Sequence, residues 1–267
     1  MSVRFWDYRS EYFEIRDKVL QAADDVFKSG WLILGERVLT FETDWAKYSG
    51  VAHGAGVNSG TDALFWALKA LDVGPGDEVI TVANTAIPTV SAIESTGART
   101  RFVDIDPDTY LMDPEKLEAV IGPKTRCILP VHLYGQCANM DVINKIAQAN
   151  ELPVLEDCAQ SHGATQNGRT AGSMGEVGAF SFYPTKVLGA YGDAGMVISD
   201  NGDLVEKIRR LRAYGISDAN NAIEHGYNSR LDEIQAAILS IKLPFLEGWI
   251  TERQRLARVY SERLAGL

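Results

Sequence analysis

A single lysine set ahead of a glycine-rich turn is the residue of this chain best suited to covalent chemistry. In Ala179-Phe-Ser-Phe-Tyr-Pro-Thr-Lys186-Val-Leu-Gly-Ala-Tyr-Gly-Asp-Ala-Gly195, an apolar strand-like run delivers Ser181 and Pro184 breaks regular structure. Lys186 then precedes Gly189, Gly192 and Gly195, which permit close backbone approach. A lysine held in a partly desolvated turn loses part of its preference for the charged form, and the neutral amine can form a Schiff base with a carbonyl. The plain alternative is a solvated turn lysine. The rest of the chain has to decide between them.

Two other stretches carry groups that could serve the same chemistry. Asn58-Ser59-Gly60-Thr61-Asp62-Ala63-Leu64 follows a strand-like run and opens a helix. The N–H groups of Gly60 and Thr61, with the Ser59 and Thr61 hydroxyls, suit a phosphate, although Ser-Gly-Thr also reads as a plain N-cap. Leu152-Pro-Val-Leu-Glu156-Asp157-Cys-Ala-Gln160-Ser-His162-Gly163 reads as a buried strand ending in two carboxylates and a polar loop. A carboxylate at the carboxyl end of such a strand sits where ligands bind in α/β sheets, and Asp157 there can ion-pair with a protonated ring nitrogen. A helix cap or surface turn is the other reading of Asp157. His162, with no Cys or His beside it, reads as structural rather than catalytic.

Positioning these groups falls to a chain of alternating elements. Apolar runs at Val79–Val82, Thr100–Ile105, Cys127–Val131, Pro153–Leu155 and Met196–Ser199 alternate with helical stretches near Thr61–Leu71, Ile87–Ser95, Asp113–Ile121, Asp141–Ala149 and Leu204–Ala213. That alternation predicts an α/β fold, with a mixed, mostly parallel sheet covered by helices and ligands gathered at the strands' carboxyl ends. Ahead of it, residues 9 to 28 and a second stretch bearing Val38, Phe41 and Trp45 predict two amphipathic helices, stopped by Gly30 and Gly50 and joined by the apolar link Trp31-Leu-Ile-Leu-Gly35. Gly215 to Ser229 reads as a polar loop, and Trp249 to Leu264, with Arg and Glu at helical spacings, as a mostly solvated helix. The organisation expected is a helical segment at 1–50, a large domain at 51–243 and the start of a C-terminal segment at 244–267.

Composition narrows the partners. The 267 residues hold 26 Lys+Arg against 36 Asp+Glu, a formal charge of -10, which argues against nucleic acid and anionic membrane surfaces but not against a small anion in a local pocket of N–H groups. Cys127, Cys137 and Cys158 form no CxxC pair, so neither a disulfide framework nor a zinc site is expected. The start, Met1 to Tyr8, lacks the apolar core of a secretion signal, and no apolar run approaches a membrane span. A soluble, cytoplasmic protein is the expectation.

An amine for an aldehyde, a carboxylate for a ring nitrogen and amides for a phosphate are together what a phosphorylated pyridine aldehyde requires. In order and spacing, Ser-Gly-Thr-Asp-Ala-Leu, Glu-Asp-Cys-Ala-Gln-Ser-His-Gly-Ala, the Lys186 stretch and Gly226-Tyr-Asn-Ser-Arg-Leu-Asp-Glu-Ile-Gln-Ala-Ala237 resemble the DegT/DnrJ/EryC1/StrS aminotransferases, from about Trp31 to the end. The resemblance implies the aspartate-aminotransferase fold (fold type I), pyridoxal 5'-phosphate as cofactor, and amination of a nucleotide-linked keto-sugar with glutamate as amino donor. By position, Lys186 matches the Schiff-base lysine, Asp157 the partner of the pyridinium nitrogen, and Gln160 a neighbour of the phenolic oxygen. Ser59, Gly60, Thr61 and Ser181 fall to the phosphate. Asn228 matches a residue that reaches the cofactor phosphate of a neighbouring subunit, which implies a homodimer with shared sites.

Two features depart from the family pattern. Ala86, in Asn84-Thr85-Ala86-Ile-Pro88, stands where many relatives carry an aromatic residue, and relatives continue into a C-terminal small domain beyond the point matching Leu267. The small domain is therefore expected to be missing or truncated. Two other readings stay open: a sugar dehydratase of the same fold, in which the lysine is replaced by histidine, and a catalytically silent binding or regulatory relative.

Overall fold

The computed structural model describes residues 6–218 and 221–266. The reading of the chain start falls, as far as Phe5, outside the described residues. Helices α1 (Arg9–Ser29) and α2 (Glu36–Ser49) come first, each stopped by a glycine in the left-handed region, Gly30 at φ 69° and Gly50 at φ 81°. The link between them is exposed at Trp31 and Leu32. The start of α2 is capped from afar, with the Glu233 carboxylate accepting from the N–H groups of Gly35, Arg37 and Val38.

The alternating region then runs β1 (His53–Val57), α3 (Gly60–Ala70), β2 (Glu78–Val82), α4 (Ile87–Ser95), β3 (Arg99–Val103), α5 (Pro114–Leu117), β4 (Thr125–Ile128), α6 (Met140–Ala149) and β5 (Leu155–Asp157). A small hairpin, β6 (Thr165–Gln166) and β7 (Arg169–Thr170), precedes β8 (Val177–Ser181), β9 (Gly195–Ser199) and α7 (Gly202–Leu211). The chain finishes with β10 (Ile216–Asp218), β11 (Asn221–Ala222), α8 (Glu233–Lys242) and α9 (Leu246–Leu264).

One sheet has the order β1-β9-β8-β5 and another β3-β2-β4, joined edge to edge by the parallel bridges Ile128–Val154 and Val131–Asp157. Pairing is parallel for β2 with β3 and β4 and for β5 with β8, and antiparallel where β9 meets β8 and β1. The sheet is mixed, as the sequence predicts. Two expectations shift. The run Cys127–Val131 is regular strand only to Ile128, because Pro130 has no N–H for a ladder. The loop Gly215–Ser229 holds the β10–β11 hairpin, short polar strands with too little apolar alternation to announce themselves.

Two apolar cores flank the sheet. One lies among α3, α4, α6 and α7, with Trp66, Leu68, Ile80 and Ile128 buried. The other lies under α2 and α8, where buried Trp45 meets Phe180 and Phe182 edge to face at 5.0 and 5.1 Å. This second core supports β8, the strand that leads to Lys186. An ionic clamp closes the same side: the buried Glu42 carboxylate takes Arg212 and the Gly56 N–H (2.8 Å), tying α2 and the end of α7 to β1. No helix among the described residues is long and apolar enough to cross a membrane.

Candidate active site

Strand register gathers the candidate residues at one edge of the sheet. Ser181 pairs with Gly195, Gly195 with Val57, and Asp157 with Ala179, so the carboxyl ends of β1, β5 and β8 lie side by side. Where β1 ends, Ser59 caps α3, its hydroxyl accepting from the Asp62 N–H at 3.1 Å. The N–H groups of Gly60 and Thr61, in the first turn, have no carbonyl four residues back within the helix. Gly60 is needed for contact: a Cβ there would sit 2.4 Å from Ser181 Cβ. Likewise a Cβ on Gly195 would sit 2.1 Å from the Ser59 carbonyl oxygen. Those two approaches hold the Ser181 hydroxyl against the opening of α3.

A cavity of about 220 Å³ opens there, lined by Ser59, Gly60, Thr61, Asp157, Ser181 and Lys186, with Ala86, Pro88, Thr89 and Tyr183 completing one side. Six of the residues singled out in sequence thus share one space. Gln160 and Asn228 do not. Gln160 is exposed and lines a neighbouring cavity of about 390 Å³ with His162, Val187 and Arg253. Asn228 is exposed in a segment running antiparallel to the end of α7, bridged to Ala213.

Lys186 is partly buried, and its turn is closed by its own N–H donating to the Tyr183 carbonyl at 2.9 Å. Among the described residues its Nζ has no hydrogen-bond or ion-pair partner. Burial pushes its pKa below the ordinary lysine value, against the pull of the Asp157 charge. The solvated turn lysine is therefore not what the fold builds.

Asp157 is buried, and burial pushes its pKa above the ordinary carboxylate value. A hydrogen bond from Thr89 Oγ1 (2.8 Å) and one from the Ala159 N–H (3.1 Å) oppose that shift in part. Thr89 is in turn hydrogen-bonded to the Thr85 hydroxyl at 2.7 Å. The surface-turn alternative for Asp157 fails on its burial. Thr89 escaped the sequence reading, since nothing local marks a threonine in the first turn of α4 as the partner of a carboxylate 68 residues on.

Glu156, the residue before it, points to the other side of the strand. It accepts from the N–H groups of Gly172 (2.9 Å) and Met174 (2.7 Å) and lies 2.8 Å from His132 Nε2, whose Nδ1 accepts from the Ala138 N–H. Burial alone would raise its pKa, but these donors hold it below the usual value. His162 is structural, as its lone setting predicts. It donates from Nε2 to the Ser181 carbonyl at 3.0 Å, packs on Trp45, and burial drives its pKa down to about 3, so it stays neutral.

A partly buried amine and a buried carboxylate that feel each other's charge without a direct ion pair share one cavity with an open helix N-terminus, at the carboxyl edge of a mixed sheet. The class of protein this defines is an α/β enzyme whose site suits amine–carbonyl chemistry beside a bound anion. A sequence profile of the DegT/DnrJ/EryC1/StrS aminotransferase family matches residues 14–267, and the chain belongs to that family. It is 48% identical over 268 residues to the dTDP-3-amino-3,4,6-trideoxy-alpha-D-glucose transaminase of Micromonospora megalomicea subsp. nigra, covering 100% of this chain and 72% of that protein. It is 46% identical over 264 residues to a pleiotropic regulatory protein of Geobacillus stearothermophilus, covering 99% of this chain and 71% of that one. The crystal structure of S. venezuelae DesV in complex with a ketimine intermediate superposes with a TM-score of 0.97 at 44% identity, covering 99% of this chain and 71% of DesV.

Proposed function

We propose that this chain carries an amino group from an amino acid donor, glutamate by family resemblance, to a nucleotide-linked keto-deoxysugar, using pyridoxal 5'-phosphate held in the Lys186 cavity. The observation that carries the reading is the unpaired, partly desolvated Lys186 amine beside buried Asp157. The donor set fits the cofactor. Ser59, Gly60, Thr61 and Ser181 would bind its phosphate at the start of α3, where the helix dipole and free N–H groups favour an anion. Asp157 would hold the protonated ring nitrogen, since among the described residues no cation is bonded to it directly. The bound cofactor supplies an electron sink for carbanion formation. Lys186 would hold the aldehyde and, once displaced by substrate, move a proton as general base, a role its lowered pKa suits.

The keto-sugar substrate is supported by the transaminase relative at 48% identity. The remaining assignments follow the family pattern. Gln160 would serve the phenolic oxygen from the rim of the adjacent cavity. Exposed Asn228, outside its own chain's cavity, would reach the phosphate of a second copy in a homodimer with shared sites, and residues 244–267 would begin the small domain. Cytoplasmic location is supported by three cysteines that are free thiols.

The test is to incubate purified protein with pyridoxal phosphate, glutamate and a panel of nucleotide keto-sugars, and to follow the products by mass. Exchange of oxygen for an amine on one of them is expected. Cofactor uptake with no exchange on any of them would overturn the proposed reaction and favour a binding role, which the regulatory name of the Geobacillus relative would suit.

A further inference from the structure

α8 contributes none of the residues lining the Lys186 cavity, yet two of its side chains grip the loop that carries Lys186. Gln235 Oε1 accepts from the Tyr191 N–H at 3.0 Å, and its Nε2 lies where a Cβ on Gly192 would come within 2.7 Å. Lys242 is buried; its Nζ donates to the Gly189 carbonyl, pairs with Glu11 of α1 at 2.6 Å, and sits 4.8 Å from the Tyr191 ring centre. The two residues are spaced i, i+7, two turns apart on one face of the helix. The helix itself is fixed: Glu233 caps α2, and Ala236 and Leu239 lie in the core.

The loop needs such an external hold. Its own bonds, Ala190 N–H to the Phe182 carbonyl and Phe182 N–H to the Ala194 carbonyl, both 2.8 Å, fix its two ends. Buried Leu188 and Ala190 anchor its first half, but Gly189 and Gly192 have no side chains with which to fix the backbone themselves. A reacting amine has to be held in place, since a misplacement of about 1 Å costs roughly a hundredfold in rate.

We propose that Gln235 and Lys242 are positioning residues, which fix the Lys186 amine through the backbone of Gly189, Tyr191 and Gly192. The proposal rests on the reading of Lys186 as the reacting amine. Lys242 cannot be that amine itself, being already committed to Glu11 and Gly189.

Three variants separate positioning from general stability: Gln235→Leu, which removes the acceptor; Gln235→Glu, which keeps an Oε acceptor; and Lys242→Met, which keeps the apolar stem. In cofactor-free protein, amide hydrogen exchange of residues 187–195 should quicken about tenfold in Gln235→Leu and Lys242→Met, as loss of a hydrogen bond allows. Exchange in α3 should not change, and Gln235→Glu should match the parent. With pyridoxal phosphate added, borohydride-trapped labelling of Lys186 should slow about tenfold in the same two variants and recover in Gln235→Glu. Parental protein that labels at Lys186, with loop exchange unchanged in both variants, would overturn the brace alone. Faster exchange in α3 as well would make α8 a general structural element and also overturn it. A parent that never labels at Lys186 would overturn the reading of that lysine, and the positioning role with it.

Discussion

Glu156 and Asp157 are adjacent carboxylates in one strand, both buried, and the fold treats them in opposite ways. On one face of β5, Glu156 is ringed by His132 and the amides of Gly172 and Met174, and its pKa falls. On the other face Asp157 looks into the cavity with Thr89 and Ala159 as donors, and its pKa rises. The lysines repeat the contrast in their partners, although burial lowers the pKa of both. Lys242 is bound by Glu11 and the Gly189 carbonyl, while Lys186 has no partner among the described residues. A buried charge whose partners are all supplied by the fold is structural; one left short of partners marks where a ligand completes the set.

The largest expected effect breaks that contrast at the amine. Lys186→Ala should abolish multiple-turnover transamination while leaving thermal unfolding near the parental midpoint, since a turn lysine contributes little packing. Turnover at the parental rate would end the mechanism.

Asp157→Asn comes next. A neutral amide cannot hold a pyridinium, so cofactor should still bind while the rate falls about a thousandfold, some 4 kcal/mol of transition-state stabilisation. A near-normal rate would place Asp157 with Glu156 as structural.

Glu156→Gln should do the reverse, costing about 3 kcal/mol of stability in denaturant titrations while leaving the rate per folded molecule close to parental. The sign with pH follows from its lowered folded pKa. Its contribution is present above the unfolded glutamate value and is lost as pH falls through the folded one, so the parent and Glu156→Gln should converge in acid.

The smallest effect has the opposite sign. Because the folded pKa of Asp157 is raised, its protonated form suits the fold, and stability is lost as pH rises from the unfolded aspartate value through the folded one. Cofactor-free Asp157→Asn should therefore be more stable than the parent at neutral pH, by about 1 kcal/mol. A destabilised variant would mean that Asp157 already has its charge satisfied.

Much of the site itself was legible in the sequence, and the reason is local. Ser-Gly-Thr marks a helix start, Pro-Thr-Lys a broken turn, and the carboxylates an apolar strand end, so register alone brings Ser59, Gly60, Thr61, Asp157, Ser181 and Lys186 together. What divides Glu156 from Asp157 was not legible, because His132 and the amides of Gly172 and Met174 lie far along the chain from the strand. The same holds for Thr89 on Asp157 and for Lys242 on Gly189. Gln160 sits in the next cavity because the chain turns after Cys158, whose N–H goes to the Ala179 carbonyl, a detail no motif encodes.

The most direct measurement of the central claim is to saturate the protein with pyridoxal phosphate, reduce with borohydride and map the modified peptide by mass. The account predicts one cofactor-derived adduct per chain, on Lys186, and none on Lys242. An adduct on any other lysine in place of Lys186, or no adduct after reduction, would contradict it.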